Sequence, residues 1–513
     1  MTGVREYFRN GLKVGPNYCP PAAAVSEQWI DYQDPEGRVI SSQEPRSDWW
    51  ENFHDPILTS LVYRAADQNL TLREAGFRIL EARALRAIAA GNFFPQTQVA
   101  TGQYTRRQLS LATGIQAGGG GGFPGVTRFF SVWNLGTQLA WELDFWGKYR
   151  RAIESADATL DASIENFDDV LVILQGDVAD AYVNVRTLEQ RIRYAESNVK
   201  SQEGSLRFAE VRLKGGAASR LDVTQAVTNV AQTSAAIPLF QTQLRQAKNR
   251  LCVLLGIPPQ DIDSLLGGTG QIPDVDPAVA LGIPADLLRR RPDVRRAERE
   301  VAAQSARIGI AEADLYPSFT INGSLFVQAT QFQDLFRANA IGGAVGPSFS
   351  WNILNYGRIL NNIRAEEARF LQEIAQYQNV VLNANREAED FLIGFLNAQL
   401  QRRQLERAAN AAIETRDLVN EQYLRGIVDF NRVFVAESIL AQRQDDLAQS
   451  EGAIAQNLID LYRSLGGGWQ VRLDGAGFEE NAVPTPTGDV PVPELTAPPP
   501  GEPLPPVETR EDN

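Results

Sequence analysis

One histidine, His54, and two cysteines, Cys19 and Cys252, are all that 513 residues offer for imidazole or thiol chemistry. A Ser-His-Asp or Cys-His relay would have to run through His54, and a His/Cys metal cluster cannot be assembled from these three side chains. Two cysteines are also too few for a disulfide framework. His54 is therefore read as an ordinary turn or surface residue, and neither an enzyme nor a cofactor site is expected. The 49 basic and 63 acidic side chains give a formal net charge of −14 with no long basic block. No nucleic-acid partner is expected, because neutralising phosphates needs a basic face. Ser219-x-x-Asp222 reads as a capping box, whose chemistry is the start of a helix.

What the chain does carry is a passage written twice. "WELDFWGK" (141–148) returns as "WNILNYGR" (351–358), and in both an aromatic-Gly-basic triplet opens a long helical run. "GNFFPQT" (91–97) pairs with "ADLYPSF" (313–319), "RLKGGAASRLDV" (212–223) with "YLRGIVDFNRVF" (423–434), and "LCVLLG" (251–256) with "DLYRSLG" (460–466). The chain reads as a tandem duplication. An N-terminal extended segment (1–48) precedes a first repeat (49–270), a second repeat of the same plan (271–470) and a Pro-rich tail (471–513).

Each repeat holds a rod. Leu160, Ile164, Phe167, Leu171, Leu174, Val178, Ala181, Val185, Leu188, Ile192 and Ala195 alternate spacings of four and three, a heptad seam. Phe370, Ile374, Tyr377, Val381, Ala384, Ala388, Phe391, Phe395 and Ala398 repeat it. From Tyr149 to Lys214 such a helix runs roughly 100 Å at 1.5 Å per residue. Gly215-Gly216 and Gly426 stop the rods, and Ser219 and Asp429 start return helices. Pro238 falls inside the first return helix, where a kink is expected.

Ahead of each rod lie two strand-like segments. Across 131–145 the odd positions include Trp133, Leu135, Leu139 and Trp141, and the even ones Asn134, Gln138 and Glu142. Segments near 318–327 and 345–353, with Phe349 and Trp351, alternate likewise; 95–108 does so poorly. Stretches 112–125 and 329–340 read as hairpin loops. Such strands fit either a soluble two-layer sheet or a transmembrane barrel, apolar outward and polar inward with aromatics at the interfaces. Four strands cannot close a barrel and lipid forbids an open edge, so the second reading requires several chains.

No run of 18 apolar residues is present, and residues 1–21 show no signal-peptide core, which points to the cytosol unless the true start lies upstream. The tail from about 478 is Pro-rich and acidic, and reads as disordered, a spacer or a cell-wall contact.

"VGPNYCPP" (14–21), "GIPADLLRRRPDVRRAEREVAAQSARIGIAEADLYPSF" (282–319) and "WELDFWGKYRRA" (141–152) resemble the TolC-like outer-membrane factors, in the lipoprotein branch that serves RND-type tripartite efflux pumps. The likeness spans roughly 14–470. It implies a mainly α fold with a membrane β-barrel part: a homotrimer, twelve barrel strands from three chains, and a helical periplasmic tunnel. It also implies an inner-membrane RND transporter, a periplasmic adaptor and outer-membrane lipid as partners.

On that resemblance the odd face (Trp133, Leu135, Leu139, Trp141, with Phe349 and Trp351) meets lipid, and Asn134, Gln138 and Glu142 face the lumen. The hairpin tips Gly215, Gly216, Ala217, Ala218, Gly426, Ile427 and Val428 meet the adaptor. Asp222, Arg432 and Val435 lie at the periplasmic aperture, where the family often carries acids and where Arg432 is expected to pair with Asp222. The family's acylated cysteine precedes the Val-Gly-Pro motif, whereas Cys19 follows it, so neither export signal nor lipidated cysteine is visible. The expected function is a passive exit duct for small molecules: drugs, toxic compounds or metal ions. The alternatives are an exit duct for type I protein secretion, or a soluble coiled-coil scaffold.

Overall fold

The computed structural model describes residues 2–32, 34–40, 46–108, 129–282 and 284–472. The expected loop at 112–125 and the Pro-rich tail beyond residue 472 lie outside the described residues. The longer helices are α1 (Pro56–Gln68), α2 (Leu70–Gly91), α3 (Lys148–Lys214), α4 (Arg220–Leu254), α5 (Pro292–Ala313), α6 (Arg358–Leu424) and α7 (Phe430–Ser464). The two rods, α3 and α6, are each 67 residues long and their returns, α4 and α7, each 35. At 1.5 Å per residue each rod spans about 100 Å.

Both rods begin on a left-handed glycine, Gly147 at φ 81° and Gly357 at φ 79°. Both end in the same motif. Ala217 N donates to Arg212 O and Gly216 N to Leu213 O, while Ile427 N donates to Gln422 O and Gly426 N to Tyr423 O. This is the Schellman pattern, with Gly216 and Gly426 at positive φ. Ser219 and Asp222 then form a capping box, and the Asp429 carboxylate accepts from Arg432 N. Pro238 sits inside α4.

The heptad seam of α3 forms the core. Leu171, Val178 and Val185 are fully buried, and the rod packs against α2, α4, α5 and α7. Trp49, Trp50 and Phe53 join the same cluster, with Trp49 stacked on Tyr462. Within it lies the Arg186 guanidinium, only 2% exposed. It donates to Tyr182 Oη (3.1 Å), Glu189 Oε2 (2.9 Å), Gly268 O (2.7 Å) and Leu266 O (2.5 Å). A buried charge needs this degree of satisfaction, and the arrangement pins the 255–270 turn to the rod. His54 is an exposed left-handed turn residue, as read; Cys19 is exposed, Cys252 buried, and neither is bonded to the other.

The strands β1 (Thr97–Gln108), β2 (Phe129–Leu143), β3 (Ser318–Ala329) and β4 (Ile341–Ser350) form one antiparallel sheet in chain order. Residues 97–108 are a full strand despite their weak alternation, because β2 supplies the pairing partner along all 12 positions. The last strand lies earlier than expected: β4 ends at Ser350, so Trp351 and Ile353 belong to the turn that leads to Gly357. Two short 3-10 turns fill the connection between β3 and β4. A separate two-residue parallel pair joins Val39–Ile40 to Val279–Ala280, tying the N-terminal segment to the link between repeats.

Candidate functional site

Directly opposed residues in an antiparallel pair share a face, so the register sorts the sheet without further assumption. Trp133 opposes Ala329, Leu135 Val327, Leu139 Gly323 and Trp141 Ile321. Across the next pair Phe319 opposes Phe349, and across the first Tyr104 opposes Trp133. One continuous face therefore carries Tyr104, Trp133, Leu135, Leu139, Trp141, Phe319, Ile321, Leu325, Val327, Val345 and Phe349. The other carries Gln103, Asn134, Gln138, Glu142, Thr320, Asn322, Ser324 and Ser348. Apolar residues interrupt that face, among them Val99, Val132 and Phe326, and the Phe326 ring covers Gly342 so closely that a Cβ there would lie 2.7 Å from it.

At the foot of the sheet the strands hand over to the rods. The Trp146 Nε1–H donates to Pro317 O at 2.8 Å, and its ring stacks on Tyr316. Lys148 forms an ion pair with Asp314 at 2.7 Å. The Trp141 indole N–H donates to Phe93 O (3.2 Å) and the Trp351 indole N–H to Leu315 O (2.9 Å), the same bond in both repeats. A cavity of about 470 Å³, lined by Glu142, Asp144, Lys148, Asp314, Asn352 and Arg358, opens beside this junction.

At the far ends of the rods the two tips meet. Arg212 of α3 donates to Tyr423 O of α6 at 2.7 Å, with its guanidinium 4.8 Å from the Tyr423 ring centroid. Tyr423, Phe430, Val433, Ala209 and Ala226 form a small core beneath. Gly215, Gly216, Ala217, Gly426 and Ile427 are exposed, with Ala218 and Val428 half-buried.

Arg432 and Val435 are exposed and Asp222 is half-buried. The expected Arg432–Asp222 pair is not made within one chain among the described residues. The Asp222 carboxylate is committed to its own helix start, accepting from Ser219 N (3.0 Å) and Ser219 Oγ (3.0 Å).

A polar seam above the tips, between α3–α4 and α7, was not legible in the sequence. Glu437, 3% exposed, accepts from Ser205 Oγ (2.7 Å) and Asn229 Nδ2 (2.9 Å). Burial pushes its carboxyl above the usual range, and the two hydrogen bonds oppose that rise. Asn198 donates to Gln444 (2.8 Å), and Arg191 holds Asp445 at 2.6 and 3.1 Å while lying over Phe240. Glu437 was hidden because an acid at one helix position looks the same whether it faces water or a neighbour. Arg212 was hidden because it reads as an ordinary C-terminal basic residue.

A small sheet with one apolar and one polar face, mounted on two antiparallel hairpins built on rods of about 100 Å, is the architecture shared with outer-membrane efflux channels. The chain belongs to the outer membrane efflux protein family, whose model matches residues 61–257 and 283–467. Nodulation protein T of Rhizobium leguminosarum bv. trifolii is 30% identical over 463 residues, 90% of this chain and 95% of that protein. The toluene efflux pump outer membrane protein TtgI of Pseudomonas putida is 30% identical over 473 residues, 90% of this chain and 96% of that protein. The solved outer-membrane channel OprN is 32% identical with a TM-score of 0.80, covering 89% of this chain and 99% of that one. The protein is thus an outer-membrane efflux channel component, in a family of channels rather than enzymes, and the soluble-scaffold alternative falls away.

Proposed function

We propose that three copies form a passive exit duct for small molecules, handed over by an inner-membrane RND-type transporter through a periplasmic adaptor. The observation that carries this reading is the sheet: among the described residues, four strands, an apolar face, and unpaired edges on β1 and β4. An open edge in hydrocarbon leaves backbone groups unsatisfied at several kcal/mol each, so only closure with further copies suits a membrane. In the closed barrel Trp133, Leu135, Leu139, Trp141 and Phe349 meet lipid, with Trp351 at the rim just past the end of β4, while Asn134, Gln138 and Glu142 line the water-filled bore.

The tips are the docking end. Gly215, Gly216, Ala217, Ala218, Gly426, Ile427 and Val428 offer small and apolar side chains to the adaptor. Asp222, Arg432 and Val435 lie on the returns beside them and border the aperture. Relatives named for toluene, solvent and pyoverdine export support small organic molecules as cargo. The test is particle mass in detergent together with adaptor crosslinking at the tips. A trimer that crosslinks through position 217 or 428 supports the reading, and a monomer that needs no detergent defeats it.

A further inference from the structure

We infer that residues 4–12 form a lipid-binding element of their own. Val4, Phe8 and Leu12 enter the hydrocarbon edge of the periplasmic leaflet, and Arg5 and Arg9 meet its phosphate headgroups. The inference rests on the proposed lipid-facing side of the sheet, and adds a second contact below it from a segment outside the sheet.

The apolar face of the sheet ends at its foot in a row of rings. Phe349 lies 6.4 Å from Phe319, and Phe319 lies 5.0 Å from Phe145, centroid to centroid. The row does not stop with the strands. The Tyr7 hydroxyl donates to Phe145 O at 2.8 Å, the Tyr7 ring lies 5.7 Å from Trp146, and Phe8 follows at 5.6 Å from Tyr7. An aromatic girdle of this kind marks the level at which a barrel leaves the hydrocarbon. Phe8 stands at the end of it.

The N-terminal segment is fixed in that place. Val14 N donates to Trp146 O at 3.0 Å, and Arg150 reaches back from the start of α3 to Gly11 O (2.8 Å) and Leu12 O (2.7 Å). Leu12 is held at φ 61°, a conformation that residues other than glycine rarely take. Such a conformation persists where the surroundings impose it.

So held, the segment turns apolar side chains outward. Val4 is 76% exposed, Phe8 67% and Leu12 45%. Val4 and Phe8 lie four residues apart on the helical turn Val4–Arg9 and share one face. Arg5 and Arg9 share the adjoining face; both are exposed, and neither has an ion-pair partner among the described residues. Residues 2–13 carry three basic side chains against one acidic, in a chain whose net charge is −14. An apolar face bordered by arginines is the pattern of an element lying in the headgroup plane. There the guanidinium groups reach phosphate while their stems rest on hydrocarbon. A protein bound to this face would have to stand beside the girdle, at the level that lipid occupies.

The test uses the full chain with Cys19→Ser and the buried Cys252 left in place, as trimers in vesicles of phosphatidylethanolamine and phosphatidylglycerol. A bimane label is attached at Phe8→Cys, with Val4→Cys as a second site. Leu139→Cys is the reference on the sheet, and Glu210→Cys, about 90 Å along the rod, the reference in water. Lipids with a nitroxide at headgroup depth are expected to quench the labels at positions 8 and 4 several-fold more than the label at 210. Lipids with a mid-chain nitroxide are expected to quench the label at 139. Arg5→Glu with Arg9→Glu is expected to reduce the quenching at position 8 by about twofold or more, and unchanged quenching overturns the headgroup contact. A label at position 8 that iodide reaches and lipid does not overturns the inference, as does one that protein shields from both. In either case quenching at 139 leaves the lipid-facing sheet intact. A label at 139 that lipid does not quench overturns both.

Discussion

The indole of Trp146 lies stacked on the ring of Tyr316, with centroids 4.5 Å apart and planes 22° from parallel. This contact sits where a strand becomes a rod, and it locks the end of β2 in the first repeat to the start of β3 in the second. Immediately after it the chain turns through Gly147, packed against Lys13 of the N-terminal segment. Sheet, rod and N-terminal strap thus converge on three consecutive residues, the aromatic-Gly-basic triplet.

Gly147→Ala is expected to lower the thermal midpoint more than Gly357→Ala. Both substitutions force an alanine into the left-handed region, at about 1–2 kcal/mol. At Gly147 the new Cβ also meets Lys13 Cα at 2.9 Å, whereas at Gly357 its nearest neighbour is Asn361 Nδ2 at 3.6 Å. Circular dichroism melts of the two variants check this.

Leu139→Arg is expected to cost about 2–4 kcal/mol where the residue lies near the bilayer midplane. Gln138→Arg, one residue away on the opposite face, is expected to fold and to change ion conductance. Outer-membrane yield and single-channel current read the two effects separately, and equal tolerance at both sites would count against the assignment of faces.

Arg186→Ala is expected to destabilise by about 3–5 kcal/mol, since it strands the buried Glu189 carboxylate and frees two backbone carbonyls. Arg186→Lys is expected to rescue little of that loss, because an ammonium cannot reproduce the planar fork that reaches four acceptors. Denaturation of the detergent-solubilised protein provides the comparison.

The rods, their glycine stops, the capping residues and the duplication were legible because helical periodicity and capping are local signals. The heptad seam from Phe167 to Leu188 is buried as its spacing predicts. The strand faces were legible where alternation is strong, in β2 and β3. β1 was faint because its positions carry Gln98, Ala100 and Arg106 where its repeat partner carries Phe319, Ile321 and Val327. The tip contacts were not legible. Asp222 satisfies its own helix instead of Arg432, and the bond that joins the tips comes from Arg212, a choice made by packing between elements far apart in sequence.

Asp180 provides a pH dependence. Burial, with Asp460 nearby, raises its carboxyl to about 7, and its Oδ1 has no hydrogen-bond partner. A carboxyl raised above its unfolded value contributes its full stability below about pH 4, and loses it as pH rises through 7. Asp180→Asn is therefore expected to leave the melting midpoint unchanged near pH 4 and to raise it at pH 8. The gain there is on the order of 1 kcal/mol or more. Melts across pH 4–8 check the sign, and a variant that is less stable at pH 8 contradicts it.

A duct is tested most directly by the current it carries. Detergent-purified protein, confirmed as a trimer, is added to a planar lipid bilayer and single-channel steps are recorded for the wild type and for Arg212→Ala, which removes the bond to Tyr423 O that ties the tips. The account predicts discrete steps in the wild type and larger ones in the variant. Trimers of both proteins that insert yet carry no current would contradict it.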